Sequence, residues 1–139
     1  MKRILLSILL LSLLSFTACD WHIFGEDEIA GENWDLYDYV FAGPSPDPAG
    51  DPMYFKLNID ENNVVTGETL GVFYSEVTGV LTDDILELDI VFQDIRCNET
   101  AFGTFIGEFS EEELTGELYL EACEILEYSY AGTRVGGSK

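Results

Sequence analysis

The chain has 139 residues, enough for one domain of ordinary size beside short terminal segments. It carries 27 acidic residues against six Lys and Arg, a formal charge of −21 that excludes nucleic-acid binding and disfavours close contact with anionic lipid. Hydrophobic residues make up 47% of the chain, so a buried core is within reach and a wholly disordered chain is excluded.

The first element is apolar. Lys2 and Arg3 precede Ile4–Leu14, which is interrupted by Ser7 and Ser12, and the small or polar Ser15, Thr17 and Ala18 follow. Positive start, apolar centre and small-residue end are the order of a helical secretory signal peptide, here 1–18. A spanning helix needs roughly 20 apolar residues, and this run is shorter. Next comes Phe16-Thr17-Ala18-Cys19. It resembles the bacterial lipobox, with Phe16 where the usual residue is Leu. The resemblance implies that the Cys19 thiol is alkylated by diacylglycerol, that signal peptidase II cuts before it, and that the new amine is acylated in many bacteria. Two acyl chains at ~0.8 kcal/mol per buried methylene anchor a protein stably without spanning. The implied location is the bacterial cell envelope, lipid-anchored to a membrane and facing the periplasm or exterior. The alternative is an ordinary secretory signal with an incidental cysteine.

Removal of 1–18 leaves Lys56, Arg96, Arg134 and Lys139 against 27 acids, a net charge of −23. An acidic face of this kind steers a basic protein partner, binds divalent cations, or keeps a protein soluble in high salt. Residues 19–33, the lipidated cysteine and "DWHIFGEDEIAGEN", read as an acidic tether. The lone His22 within it builds neither a triad nor a zinc site.

From Trp34 onward the pattern is β. Met53, Phe55, Leu57 and Ile59 alternate with Tyr54, Lys56 and Asn58; Leu86, Leu88, Ile90 and Phe92 face one way, with Glu87 and Asp89 opposite. Period two marks strands with one buried face. The predicted strands are 34–42, 53–59, 64–70, 73–81, 85–93, 101–109, 114–121 and 126–135. All four prolines fall in "GPSPDPAGDP" after the first strand, a stiff loop at one mouth that serves as a lid, a partner contact or a plain connection. A weak repeat runs through the rest. "GVLTDDILELDI" from Gly79 aligns with "GEFSEEELTGEL" from Gly107, and "NIDENNVVTGE" from Asn58 is a looser copy. Each is strand, acidic turn, strand. Asp, Asn and Ser in turns bond their own backbone, which explains these acids without metal binding, and "DENNVVTGE" lacks the glycine and spacing of an EF-hand.

Consecutive hairpins make an antiparallel meander, predicted to remove its open edges by closing into a small up-and-down barrel over 34–135; a β-sandwich is the alternative. Glycines 67, 79, 103, 107 and 116 fall on strands and are expected to mark bends or bulges. The tail 136–139 is expected to be disordered. Trp34 early and Arg134 late, in "YAGTRV", resemble the pair that closes calycin-type barrels (lipocalin and avidin relatives). That resemblance implies an early Trp packed under a late basic side chain at the closed end.

Cys97 and Cys123 lie in connections at the same end of a meander, in an oxidising compartment, and are predicted to form a disulfide. There is no Cys-x-x-Cys for redox catalysis. Tyr37, Tyr39, Phe41, Tyr128 and Tyr130 either line an interior pocket or fill the barrel. No catalytic, metal or cofactor motif is read. The function expected is a non-catalytic envelope lipoprotein, a monomer whose barrel binds a basic protein partner or a small apolar ligand. The alternatives are a structural acidic surface lipoprotein and an enzyme acting on glycans through carboxylates.

Overall fold

The computed structural model describes residues 34–46, 50–71 and 73–139. The signal peptide, Cys19, His22 and the tether lie outside the described residues. The remainder is a closed eight-stranded antiparallel barrel in which each strand pairs with the next and β8 returns to β1. The strands are β1 (Tyr39–Gly43), β2 (Met53–Ile59), β3 (Val64–Leu70), β4 (Ser75–Thr82), β5 (Ile85–Asp94), β6 (Glu99–Phe109), β7 (Glu113–Glu121) and β8 (Ile125–Gly136). This is an all-β barrel consistent with a calycin-like architecture, and the sandwich alternative falls.

The barrel has a turn end and a loop end. The three repeat copies are the β2–β3, β4–β5 and β6–β7 hairpins, so their acidic turns all lie at the turn end. Asp60 shows why they are acidic: its Oδ1 accepts N–H bonds from Asn62 (2.8 Å) and Val64 (2.9 Å). Asn63 and Asp83 take positive φ of 60° and 54° there, the left-handed region that Asn and Asp tolerate.

Side chains fill the interior. Phe41, Phe55, Phe105 and Tyr130 are buried at its centre among Leu57, Val65, Leu86, Leu114 and Leu118. Phe55 meets Tyr130 edge-on at 4.9 Å and Phe105 at 5.2 Å. The predicted bulges at strand glycines do not occur; the register slips between Val40 and Phe41 instead. Gly107 and Gly116 face each other across β6–β7, and the Phe105 ring lies where their Cβ atoms would be, 2.8 and 2.7 Å away. The facing strand's backbone, Thr115 O or Ile106 O, would lie closer still, so these glycines let β6 and β7 approach as well as admit the ring.

Three expectations are corrected. First, β1 begins at Tyr39, not Trp34. Trp34–Leu36 form a 3₁₀ turn closed by the Tyr37 N–H on the Trp34 carbonyl (3.2 Å). Trp34 then packs on the outer wall, against Tyr54 (6.1 Å) and over Gly136. Second, Arg134 does not pair with Trp34. It follows Tyr130 and Gly132 on the inward side of β8, and its guanidinium sits 5.0 Å over Tyr39 at the turn end. The barrel wall separates it from Trp34, because Trp34 gains more cover outside than an already crowded interior offers. Third, the tail is bonded. The Ser138 N–H donates to Tyr37 O (2.8 Å), and Lys139 Nζ donates to Asp38 Oδ2 (3.0 Å) and Ile59 O (3.1 Å). The ends of the barrel segment are thereby clasped together.

Candidate functional site at the loop end of the barrel

The loop end differs from the turn end. The proline-rich loop after β1, the β3–β4 loop, and the cysteine-bearing β5–β6 and β7–β8 loops all gather there. They surround an open concavity of about 960 Å³ whose lining is mainly apolar, including Phe73, Phe92, Leu120, Ala122 and Leu126. Beneath it Phe73 packs on Phe92 at 4.8 Å, and the buried Thr69 and Ser75 hydroxyls bond each other at 2.5 Å. Phe92 and Leu120 are inward residues of their strands, so the concavity enters the loop end of the barrel above its packed centre.

Two connections brace this mouth. Cys97 and Cys123 form a disulfide between the β5–β6 and β7–β8 loops, with Cα atoms 5.9 Å apart. Arg96 spans the same loops: it donates to Asp94 through Nε (3.0 Å) and a terminal nitrogen (2.7 Å), and to Glu124 Oε1 (2.7 Å). Asp94 is the last inward residue of β5 and is buried. Bonds from the Arg96 side chain, outweighing burial, bring its carboxyl down from 3.8 to about 2. A carboxyl depressed in the folded state stabilises above its unfolded pKa and loses that contribution as pH falls. The Asp94 contribution is therefore present above about pH 4 and lost towards pH 2. An acid titration of melting temperature over this window should show a drop that Asp94→Asn no longer has.

Tyr128 ties down the described start of the proline-rich loop. Tyr128, half-buried against the core, donates its hydroxyl to Pro44 O (2.6 Å), and Pro46 lines the mouth. Of the five aromatic residues expected at an interior pocket, Phe41 and Tyr130 fill the core and Tyr39 caps it at the turn end. Tyr37 lies outside, 5.4 Å from Lys56 Nζ. Burial, then a hydrogen bond with Glu68, pushes its phenol up to about 12. Lys56 also pairs with Glu68 at 3.2 Å and is itself buried on the outer wall.

An interrupted ring of large apolar side chains is exposed around the mouth, among the exposed Gln93, Arg96, Glu121 and Glu124. Ile95, Phe102 and Ile125 are 88%, 61% and 63% exposed, and Tyr74 and Val91 are exposed beside them. Val91, Phe102, Glu121 and Ile125 occupy one cross-strand row at the loop end. Sequence reasoning missed this ring. These residues are separated in the chain, and only the register brings Val91, Phe102 and Ile125 into line.

Among the described residues, the one cluster with metal-ligand spacing is Asp94, Cys97 and Cys123. Both of its sulfurs are held in the disulfide, so it presents no thiolate. No protein-family model matches the chain, and no curated protein matches it.

Proposed function

We propose that the protein is a lipid-anchored, non-catalytic lipoprotein of the bacterial envelope whose barrel binds a partner protein at the loop end. The carrying observation is the pairing of a packed barrel centre with large exposed apolar side chains around an open mouth. A ligand-carrying barrel encloses its ligand; this barrel offers its apolar surface at the rim, where a partner's side chains reach it. The disulfide and the Arg96 bridges hold that rim in shape before binding, which lowers the ordering cost of association. A second reading, a small apolar ligand in the mouth, is supported by the concavity's apolar lining.

A photoreactive amino acid at Ile95 tests the partner reading in intact cells. It should give one discrete protein adduct that Phe92→Asp removes, while the same group at Glu61, in the β2–β3 turn, gives none. Equal adducts at both positions, or none at Ile95, would sink the reading. The anchor rests on Phe16–Cys19 alone. Cys19→Ser should abolish labelling by a radioactive or clickable fatty acid and accumulate precursor. Continued cleavage and membrane partition of that variant would contradict lipidation.

A further inference from the structure

Opposite the mouth, the outer wall carries a second patch that the binding at the rim does not use. Strand register places Val64 against Val80, Val80 against Glu87, Glu87 against Ile106, and Ile106 against Glu117. Ile85 lies two residues from Glu87 on the same face, at the ~7–8 Å diagonal spacing from both Val80 and Ile106. Val64, Val80, Ile85 and Ile106 thus form one contiguous apolar patch, each 41–55% exposed. It leads into a groove of about 860 Å³ between the β4–β5 and β6–β7 turns, lined in part by Asp83, Asp84, Glu108, Glu111 and Glu113.

The charge around this patch is of one sign. The outward positions of β4–β8 include Glu76, Glu87, Asp89, Glu108, Glu113, Glu117, Glu121 and Glu127, and no Lys or Arg. Three of the four cations of residues 34–139 are paired away from the patch: Lys56 by Glu68, Arg96 by Asp94 and Glu124, and Lys139 by Asp38. Arg134 borders the groove from the inward side of β8, where the Tyr39 ring and the Gly136 and Glu111 carbonyls hold it. A second copy of this chain would bring acids against acids, and an anionic membrane would be repelled in the same way. Apolar contact ringed by uncompensated carboxylates is complementary to apolar side chains flanked by Lys and Arg.

We infer that the β3–β7 outer wall at the turn end docks a cationic amphipathic segment of another protein, its apolar side chains on Val80, Ile85 and Ile106 and its basic side chains against Glu87, Glu117 and the acidic groove. The inference rests on the reading of the barrel as a protein-binding module, but it concerns a different surface from the mouth. A fluorescent Leu/Lys amphipathic helical peptide is the probe, titrated into the full chain and followed by anisotropy. Saturable binding is expected, at least tenfold tighter than that of a scrambled peptide of the same composition. Ile85→Ser with Ile106→Ser, which leaves the charge unchanged, should weaken it at least tenfold. Glu87→Gln with Glu117→Gln should weaken it and flatten its salt dependence. All four side chains are exposed, and an unchanged melting temperature verifies folding. Ile95→Asp at the mouth should leave peptide binding unchanged, so loss of the rim adduct and loss of peptide binding are separate results. Equal binding of the scrambled peptide would overturn the inference in favour of bulk charge attraction. Self-association abolished by the isoleucine variants would assign the face to a second copy. Binding to phosphatidylcholine vesicles in place of the peptide would assign it to a membrane.

Discussion

Tyr130→Ala should lower the unfolding free energy by about 3–5 kcal/mol, the range for deleting a large buried aromatic side chain. Tyr130 is 1% exposed and meets Phe55 and Phe105 edge-on at 4.9 and 6.2 Å. Its hydroxyl donates towards the Met53 carbonyl (3.1 Å) and Phe41 O (3.4 Å), joining β8 to β1 and β2 across the barrel. The neighbouring backbone is shaped to it: a Cβ on Gly132 would come within 2.5 Å of the hydroxyl oxygen. Little can collapse into the vacated space, because a closed barrel cannot draw its walls together without breaking ladder hydrogen bonds. Tyr130→Phe keeps the ring and removes only the hydroxyl, so it should cost about 0.5–1.5 kcal/mol. Urea denaturation of the two variants gives both values; a loss below about 1 kcal/mol for the alanine variant would mean that the centre of the barrel is not packed as described.

Reduction of the Cys97–Cys123 bridge is the other large effect. The bridge closes a loop with a sequence separation of 26 residues, for which loop-closure entropy gives about 3.5 kcal/mol. The urea midpoint should fall on adding reductant, and Cys97→Ser with Cys123→Ser should reproduce the fall and make the protein insensitive to reductant. Arg96 continues to link the two loops through Asp94 and Glu124, so the reduced barrel should stay folded with a looser mouth. An unchanged midpoint on verified reduction would contradict the bridge's role.

Most of the barrel was legible because it is built from hairpins with one dry face. Met53–Ile59 and Val64–Leu70 have the boundaries that alternation and turn residues predict, and the Asp60 carboxylate and Ser110 hydroxyl bond the local backbone of their turns. What alternation cannot report is cover on the outside. Lys56 reads as a solvent-facing residue, yet it is 5% exposed beside Tyr37 and Glu68. Trp34 and Leu36 continue the period-two pattern, so the first strand reads as starting too early; the ring's contacts with Tyr54 and Gly136 exist only once the barrel closes. Arg134 reads as a barrel-end cation, but whether it meets Trp34 or Tyr39 depends on which side of the wall each lies. The rim was the least legible part. Ile95, Phe102 and Ile125 sit where outward residues are expected, and their grouping depends on register and on two loops joined by a disulfide.

The central claim of the proposed function is that the barrel engages a partner protein at its rim and carries no small molecule. The most direct test is the native mass of the gently purified protein, compared with the mass after denaturation. The two should agree to within bound water and salt. A stoichiometric apolar molecule present only in the native spectrum, and lost in a Leu126→Asp variant, would contradict the claim and make the mouth a ligand site.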